Sequence, residues 1–172
     1  MLAFYQNHVH NVILPFWTPA VDTEHGGIFT CFDNSGEHRL STDKYTWSQG
    51  RFVWLWSRIA RMIKDGMLQG RAEVYLQQAQ QTAQFLRKNV FLSNGNCVYV
   101  LSAAGEKKSD DSSLYADCFV LLGFSECANV SGDPELLEEA CRLYDRLIIR
   151  LQTGAFRTDP YPIPAGYNAH SL

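Results

Sequence analysis

Phe52-Val53-Trp54-Leu55-Trp56, followed by Ile59, Ala60, Met62 and Ile63, is the stretch that decides the fold. On the 3.6-residue period of a helix over residues 46–64, these side chains leave almost no polar face. Such a helix has to be covered on every side. Residues 112–130 repeat the pattern with Ala116, Cys118, Phe119, Val120, Leu121, Leu122 and Phe124. The helices expected around these two are one-sided. Residues 2–16 carry Leu2, Tyr5, Val9, Val12, Ile13 and Phe16 on one face, and residues 71–91 carry Tyr75, Ala79, Ala83, Leu86 and Val90. Residues 134–152 carry Leu136, Leu137, Ala140, Leu143, Tyr144, Leu147 and Leu151, with Asp133-Pro134 as N-cap and first helical residue. Alternating one-sided and all-round helices are what two concentric layers produce, the all-round helices lying inside. The pattern favours an all-α toroid or solenoid over a four-helix bundle, in which every helix would be one-sided.

The connections carry a weak repeat. Gly26-Gly27-Ile28-Phe29-Thr30-Cys31-Phe32-Asp33-Asn34-Ser35-Gly36-Glu37 precedes the first all-round helix, and the run from Asn94 to Glu106 precedes the second. Each is β-prone and ends in Gly-Glu, so each reads as a small hairpin. The Pro-rich run Thr158 to Tyr167 and the closing Asn168-Ala169-His170-Ser171-Leu172 stand where a third inner helix should open. The expectation is one domain over residues 1–172 that is incomplete, with no further helix to cover the apolar face of the last one.

Composition narrows the function classes. Apolar residues make up 46% of the 172 residues and charged residues 19%, with a net charge of −3, so nothing electrostatic points to nucleic acid or an anionic membrane. No apolar run approaches the roughly 20 residues of a membrane span. The N-terminus has neither a basic region nor an apolar signal core, which points to the cytoplasm. Cys31, Cys97, Cys118, Cys127 and Cys141 form no C-x-x-C pair and read as reduced, buried apolar residues rather than a disulfide or zinc set.

Three places carry candidate chemistry. Trp47, Arg51 and Trp54 share one face at the start of the first all-round helix. Arg51 is either a buried cation neutralised by a nearby acid or a guanidinium aimed at sugar hydroxyls or an enolate oxygen, with Trp47 stacking on the ring. Tyr115 holds nearly the same place in the second repeat. It is either a donor to a substrate oxygen or a core tyrosine with a satisfied hydroxyl. Asp117 is a cap-region acid or the counter-ion of Arg51. His170 falls where the third inner helix should open and is a candidate proton carrier. In a toroid these helix starts meet around one mouth. No P-loop, G-x-G-x-x-G, G-x-S-x-G or H-E-x-x-H occurs, and no metal site is expected.

At His25-Gly26-Gly27-Ile28-Phe29, at Lys44 to Arg51 (K-x-x-W-S-Q-G-R) and at Ser113 to Phe119, the sequence resembles the N-acylglucosamine 2-epimerase family, which takes in renin-binding protein and cellobiose 2-epimerases. The resemblance implies a partial (α/α)6 barrel and an isomerase that epimerises an unprotected sugar at C2 through an enediolate, without metal or redox cofactor. It implies that Arg51 and His170 are catalytic, that Trp47 and Tyr115 bind substrate, and that further proton-transferring histidines belong to a second half with no counterpart here. On that basis the chain alone should not turn over sugar. Aldose–ketose isomerisation within the same family, and a non-catalytic helical binding module, are the alternatives. An (α/α)6 hydrolase would need paired carboxylates at the mouth, where only Asp117 and loop acids stand. A small-molecule sugar is the expected partner, and a homodimer stays open.

Overall fold

The computed structural model describes residues 1–110 and 113–157. These form a mostly helical domain with one small sheet. The four principal helices are α3 (Thr46–Lys64), α4 (Ala72–Asn89), α5 (Tyr115–Ser131) and α6 (Pro134–Thr153), close to the helices expected from periodicity. α3 packs most intimately on α5 and next on α4, while α6 packs on α5. Buried Val53, Trp56, Ala83, Leu86, Val120, Phe124, Ala140 and Leu143 form the core these faces share. No helix among the described residues is long and apolar enough to cross a membrane.

The caps follow from the residues that flank the helices. Asp133 accepts hydrogen bonds from the Glu135 and Leu136 amides at 3.0 and 3.1 Å, and Pro134 opens α6. Gly132 and Gly154 close α5 and α6 at φ 75° and 67°, in the left-handed region that a side chain disfavours.

The N-terminal segment departs from its simple pattern. The helix expected over residues 2–16 is α1 (Leu2–His8), a π-helical turn (Val9–Ile13) and α2 (Leu14–Trp17), ending in a 3-10 turn at Thr18–Ala20. Pro15 lacks the amide that the Asn11 carbonyl would need, and the chain widens just before it: the Leu14 amide reaches back to the Val9 carbonyl. The expected apolar stripe is not buried. Leu2 is 68% exposed and Tyr5, Val12 and Phe16 are also exposed, while Leu14 is the side chain that enters the core.

α5 and α6 each leave an apolar line open. On α5, Cys118 and Leu122 are exposed, and Phe119 and Leu121 are only half-buried. On α6 the apolar face divides: Leu136, Ala140, Leu143 and Leu147 are buried, whereas Leu137, Tyr144 and Leu151 face outward. Among the described residues nothing covers these lines. All five cysteines are unpaired, and Cys118 and Cys141 are exposed rather than buried as expected.

Both expected hairpins are turns of one kind. In the first, the Gly36 amide bonds to the Asp33 carbonyl and the Glu37 amide to Asp33 Oδ1; Phe32 bridges Arg39 across the turn. In the second, the Gly105 amide bonds to the Ser102 carbonyl and the Glu106 amide to Ser102 Oγ. The second continues as β2 (Val98–Leu101) against β3 (Lys107–Asp110). A short strand the sequence did not announce, β1 (Lys44–Tyr45), adds antiparallel to β2, pairing Lys44 with Leu101. Through β1 the second hairpin is tied directly to the start of α3.

Candidate functional site

The segment K-x-x-W-S-Q-G-R divides into residues that build and one that is left over. Lys44 is fully buried, and its three ammonium hydrogens meet Asp22 Oδ2 at 2.7 Å, the Gly26 carbonyl at 2.6 Å and the Ala103 carbonyl at 2.8 Å. The ammonium also lies 4.2 Å from the Phe85 ring centre. Burial pulls its pKa down from the usual lysine value, and the Asp22 carboxylate opposes that pull. Burial alone would raise the Asp22 carboxyl; hydrogen bonds from Lys44 and from the His25 and Glu24 amides outweigh it and hold the group below its ordinary value. Gln49, also fully buried, spans Ile28 with both ends of its amide: Oε1 accepts from the Ile28 amide at 2.8 Å and Nε2 donates to the Ile28 carbonyl at 2.7 Å. Gly27 at φ 83° passes so close that a Cβ would stand 2.7 Å from Gln49 Oε1. Lys44 and Gln49 thus moor the Asp22–Ile28 loop to the start of α3.

Gly50 serves a third contact. A Cβ there would lie 2.3 Å from the Phe119 carbonyl oxygen, and one on Gly123 would lie 2.5 Å from the Gly50 carbonyl oxygen. The two glycines face each other, and their bare backbones let α3 and α5 cross closely.

Arg51 is the residue left over. Its side chain is exposed, which removes the first of its two readings, a buried cation neutralised by an acid. Its guanidinium carbon lies 4.7 Å from the Trp47 ring centre and 4.2 Å from that of Phe119. No carboxylate lies within ion-pair distance of it among the described residues. Trp47 is half-buried, and part of its ring surface is taken by Arg51 rather than left wholly for a ligand. Tyr115, one turn ahead of Phe119 on α5, is 65% exposed and is no core tyrosine. Trp47, Arg51, Tyr115 and Phe119 therefore belong to the adjoining first turns of α3 and α5. His170 lies outside the described residues.

Asp117 is not the counter-ion of Arg51. It is buried and paired with Arg150 at 3.0 Å, and it accepts from the Cys97 amide at 3.1 Å. Arg150 spends its other donors on the Ser113 and Ala155 carbonyls. Burial raises the Asp117 carboxyl above its usual range, and Arg150 works against that rise. The pair joins α6 to the start of α5.

Sequence reasoning gave no role to Phe119, Lys44, Gln49 or Arg150. For Phe119 a signal existed: the offset that relates Trp47 to Tyr115 also relates Arg51 to Phe119. For Arg150 none did, because an arginine in the last turn of a polar-faced helix reads as solvated. Two surface hollows of about 480 and 330 Å³ lie elsewhere, around Asn94 and Arg146, and neither takes in Trp47, Arg51, Tyr115 or Phe119. Arg87, Arg146 and Arg150 at these hollows are engaged by Glu139, the Gly95 carbonyl and Asp117. Among the described residues no group of three His, Cys, Asp or Glu is placed to hold a metal ion.

The family model for N-acylglucosamine 2-epimerase (GlcNAc 2-epimerase) matches residues 27–170. N-acylglucosamine 2-epimerase of Mus musculus is 27% identical over 177 residues, covering 95% of this chain and 38% of its own length. Cellobiose 2-epimerase of Bacteroides fragilis is 30% identical over 142 residues, covering 81% of this chain and 34% of its own length. The solved structure of cellobiose 2-epimerase from Bacillus thermoamylovorans superposes with a TM-score of 0.76 at 26% identity, over 92% of this chain and 38% of that one. The chain spans well under half the length of these relatives. With the family model running from the moored Gly27 loop through both aromatic helix starts, the chain belongs to the N-acylglucosamine 2-epimerase family.

Proposed function

We propose that this chain forms one wall of the sugar pocket of a 2-epimerase built as an (α/α)6 barrel, with α3 and α5 as inner helices and α4 and α6 as outer ones. The observation that carries the reading is the exposed Arg51 guanidinium, oriented by two ring faces at the adjoining starts of α3 and α5. A guanidinium held that way keeps its N–H donors for oxygen ligands. In C2 epimerisation of an open-chain aldose, a base takes the C2 proton and the electron pair moves onto the carbonyl, giving an enediolate. Return of a proton to the other face of C2 restores the carbonyl with inverted configuration. Arg51 would donate to the oxygen on which the charge develops, where a preorganised cation acts most strongly. Trp47 and Tyr115 would line the sugar, and His170 is the proposed proton carrier of this chain. The five unpaired cysteines support a reducing, cytoplasmic setting.

Binding and chemistry can be tested separately. Titration with cellobiose and with N-acetylglucosamine, followed by tryptophan fluorescence, should show saturable binding that Arg51→Ala and Trp47→Phe weaken. Equal binding by wild type and both variants sinks the reading. Proton transfer is tested on a protein that joins this chain to the second half of the family's barrel, in deuterated water with proton NMR at sugar C2: exchange at C2 with inversion indicates epimerisation, and label at C1 of a ketose indicates isomerisation.

A further inference from the structure

Trp47 and Phe119 hold Arg51 from two directions. The guanidinium carbon is 4.7 Å from one ring centre and 4.2 Å from the other, and the ring centres are 6.4 Å apart with planes tilted by 51°. Three such distances make an almost right-angled corner at the guanidinium. The charge therefore sits in a notch between adjoining walls rather than in a sandwich, and its remaining edges are open. A carboxylate partner would have oriented Arg51 by occupying its N–H donors; ring faces orient it and leave those donors free.

The two walls have different origins. Trp47 belongs to the same helix as Arg51 and follows from i, i+4 spacing. Phe119 comes from α5, half-buried, and reaches Arg51 only because Gly50 and Gly123 let the helices meet backbone to backbone. We propose that Phe119 is a positioning residue for the sugar-facing Arg51, completing with Trp47 a notch that fixes the guanidinium before a ligand arrives. The proposal rests on the reading of Arg51 as a sugar contact. An exposed arginine without such walls would lose more rotamer freedom on binding and would bind more weakly.

The test compares Phe119→Leu and Phe119→Met, which remove the ring, with Phe119→Tyr, which keeps it. The first readout is the Arg51 Nε–H resonance in the whole chain, assigned by its loss in Arg51→Lys. Ring currents should displace it from the free-arginine position in wild type and in Phe119→Tyr, and the displacement should shrink in both non-aromatic variants. The second readout is affinity for cellobiose and for N-acetylglucosamine. It should fall on the order of tenfold in the non-aromatic variants and hold in Phe119→Tyr, with the thermal midpoint little changed in all three. A resonance that does not move when the ring is removed overturns the proposal. So does unchanged affinity in Phe119→Leu and Phe119→Met, or an equal loss in Phe119→Tyr. Should wild type bind neither sugar, the sugar-pocket reading fails, and the resonance alone decides whether Phe119 positions Arg51.

Discussion

Replacing Gly50 by alanine sets two opposing effects against each other at one atom. Alanine is favoured over glycine in a helix interior by about 1 kcal/mol. A newly buried methyl adds about 0.8 kcal/mol where there is space for it. On an open helix face the change would therefore stabilise. At Gly50 the added Cβ would stand 2.3 Å from the Phe119 carbonyl oxygen, 2.4 Å from the carbonyl carbon and 2.8 Å from the Val120 nitrogen. Comfortable contacts between such atoms are about 3.5 Å, so α5 would have to withdraw by roughly 1 Å. Its backbone is tied into helical hydrogen bonds and cannot yield at one residue. The facing Gly123 offers no slack, because it already lies against the Gly50 carbonyl. Overpacking costs about 1–3 kcal/mol or more, and here it meets backbone, so the upper part of that range applies. After the helix-propensity gain is subtracted, the expected net loss is about 2 kcal/mol. In a domain of this size that lowers the melting midpoint by about 4–8 °C. Urea unfolding followed by circular dichroism should show a lower midpoint with an unchanged slope. A Gly50→Ala variant as stable as wild type would mean that α3 and α5 do not cross this closely, and the placement of Phe119 against Arg51 would fall with it.

Other substitutions separate the framework from the notch. Gln49→Leu keeps the volume but orphans the buried Ile28 amide and carbonyl; at about 1–3 kcal/mol each, a loss of about 2–6 kcal/mol is expected in urea unfolding, and a loss under about 1 kcal/mol would contradict the mooring role. Arg150→Met leaves the Asp117 carboxylate buried without its cation, at a cost of about 3–5 kcal/mol near neutral pH. Because Arg150 opposes the rise in the Asp117 pKa, its removal lifts that pKa further. The penalty falls on the ionised form alone, so the deficit should shrink as acid protonates Asp117; a deficit that ignores pH refutes this account. Asp22 titrates with the opposite sign. Its folded pKa is lowered, so its contribution is complete above the ordinary carboxylate range and is lost as pH falls through the lowered value. Asp22→Asn should be less stable than wild type at pH 7 and should show a shallower fall below about pH 4; parallel acid limbs would count against it.

Much of this arrangement was legible in the sequence, and the failures have physical causes. Helix identity followed from apolar spacing, and the Asp133-Pro134 start followed from capping chemistry. The paired Gly-Glu turns marked a true repeat of turn geometry, with Asp33 and Ser102 in equivalent places. Periodicity reports which side chains are apolar, not which are covered. That is why the stripe from Leu2 to Phe16 is read correctly as a one-sided apolar face although most of it is exposed. The single helix expected over residues 2–16 took no account of Pro15, before which the helix widens. At the candidate site, Trp47 and Arg51 were found by i, i+4 spacing within one helix. Phe119 depends on a contact between helices, and the Asp117–Arg150 pair joins positions far apart in the chain. One-dimensional spacing carries no record of such contacts.

The burial of Lys44 makes the chain its own clock. Amine-acylating reagents reach Lys64, Lys88, Lys107 and Lys108, which are exposed, but the Lys44 amine is enclosed by Asp22, Gly26 and Ala103. It becomes reactive only when the loop before α3 and the turn after β2 part from each other. The rate at which a mass label accumulates on Lys44, relative to the other lysines, therefore measures how often this end of the molecule breathes. Local opening can be followed that way in the native chain, without denaturant.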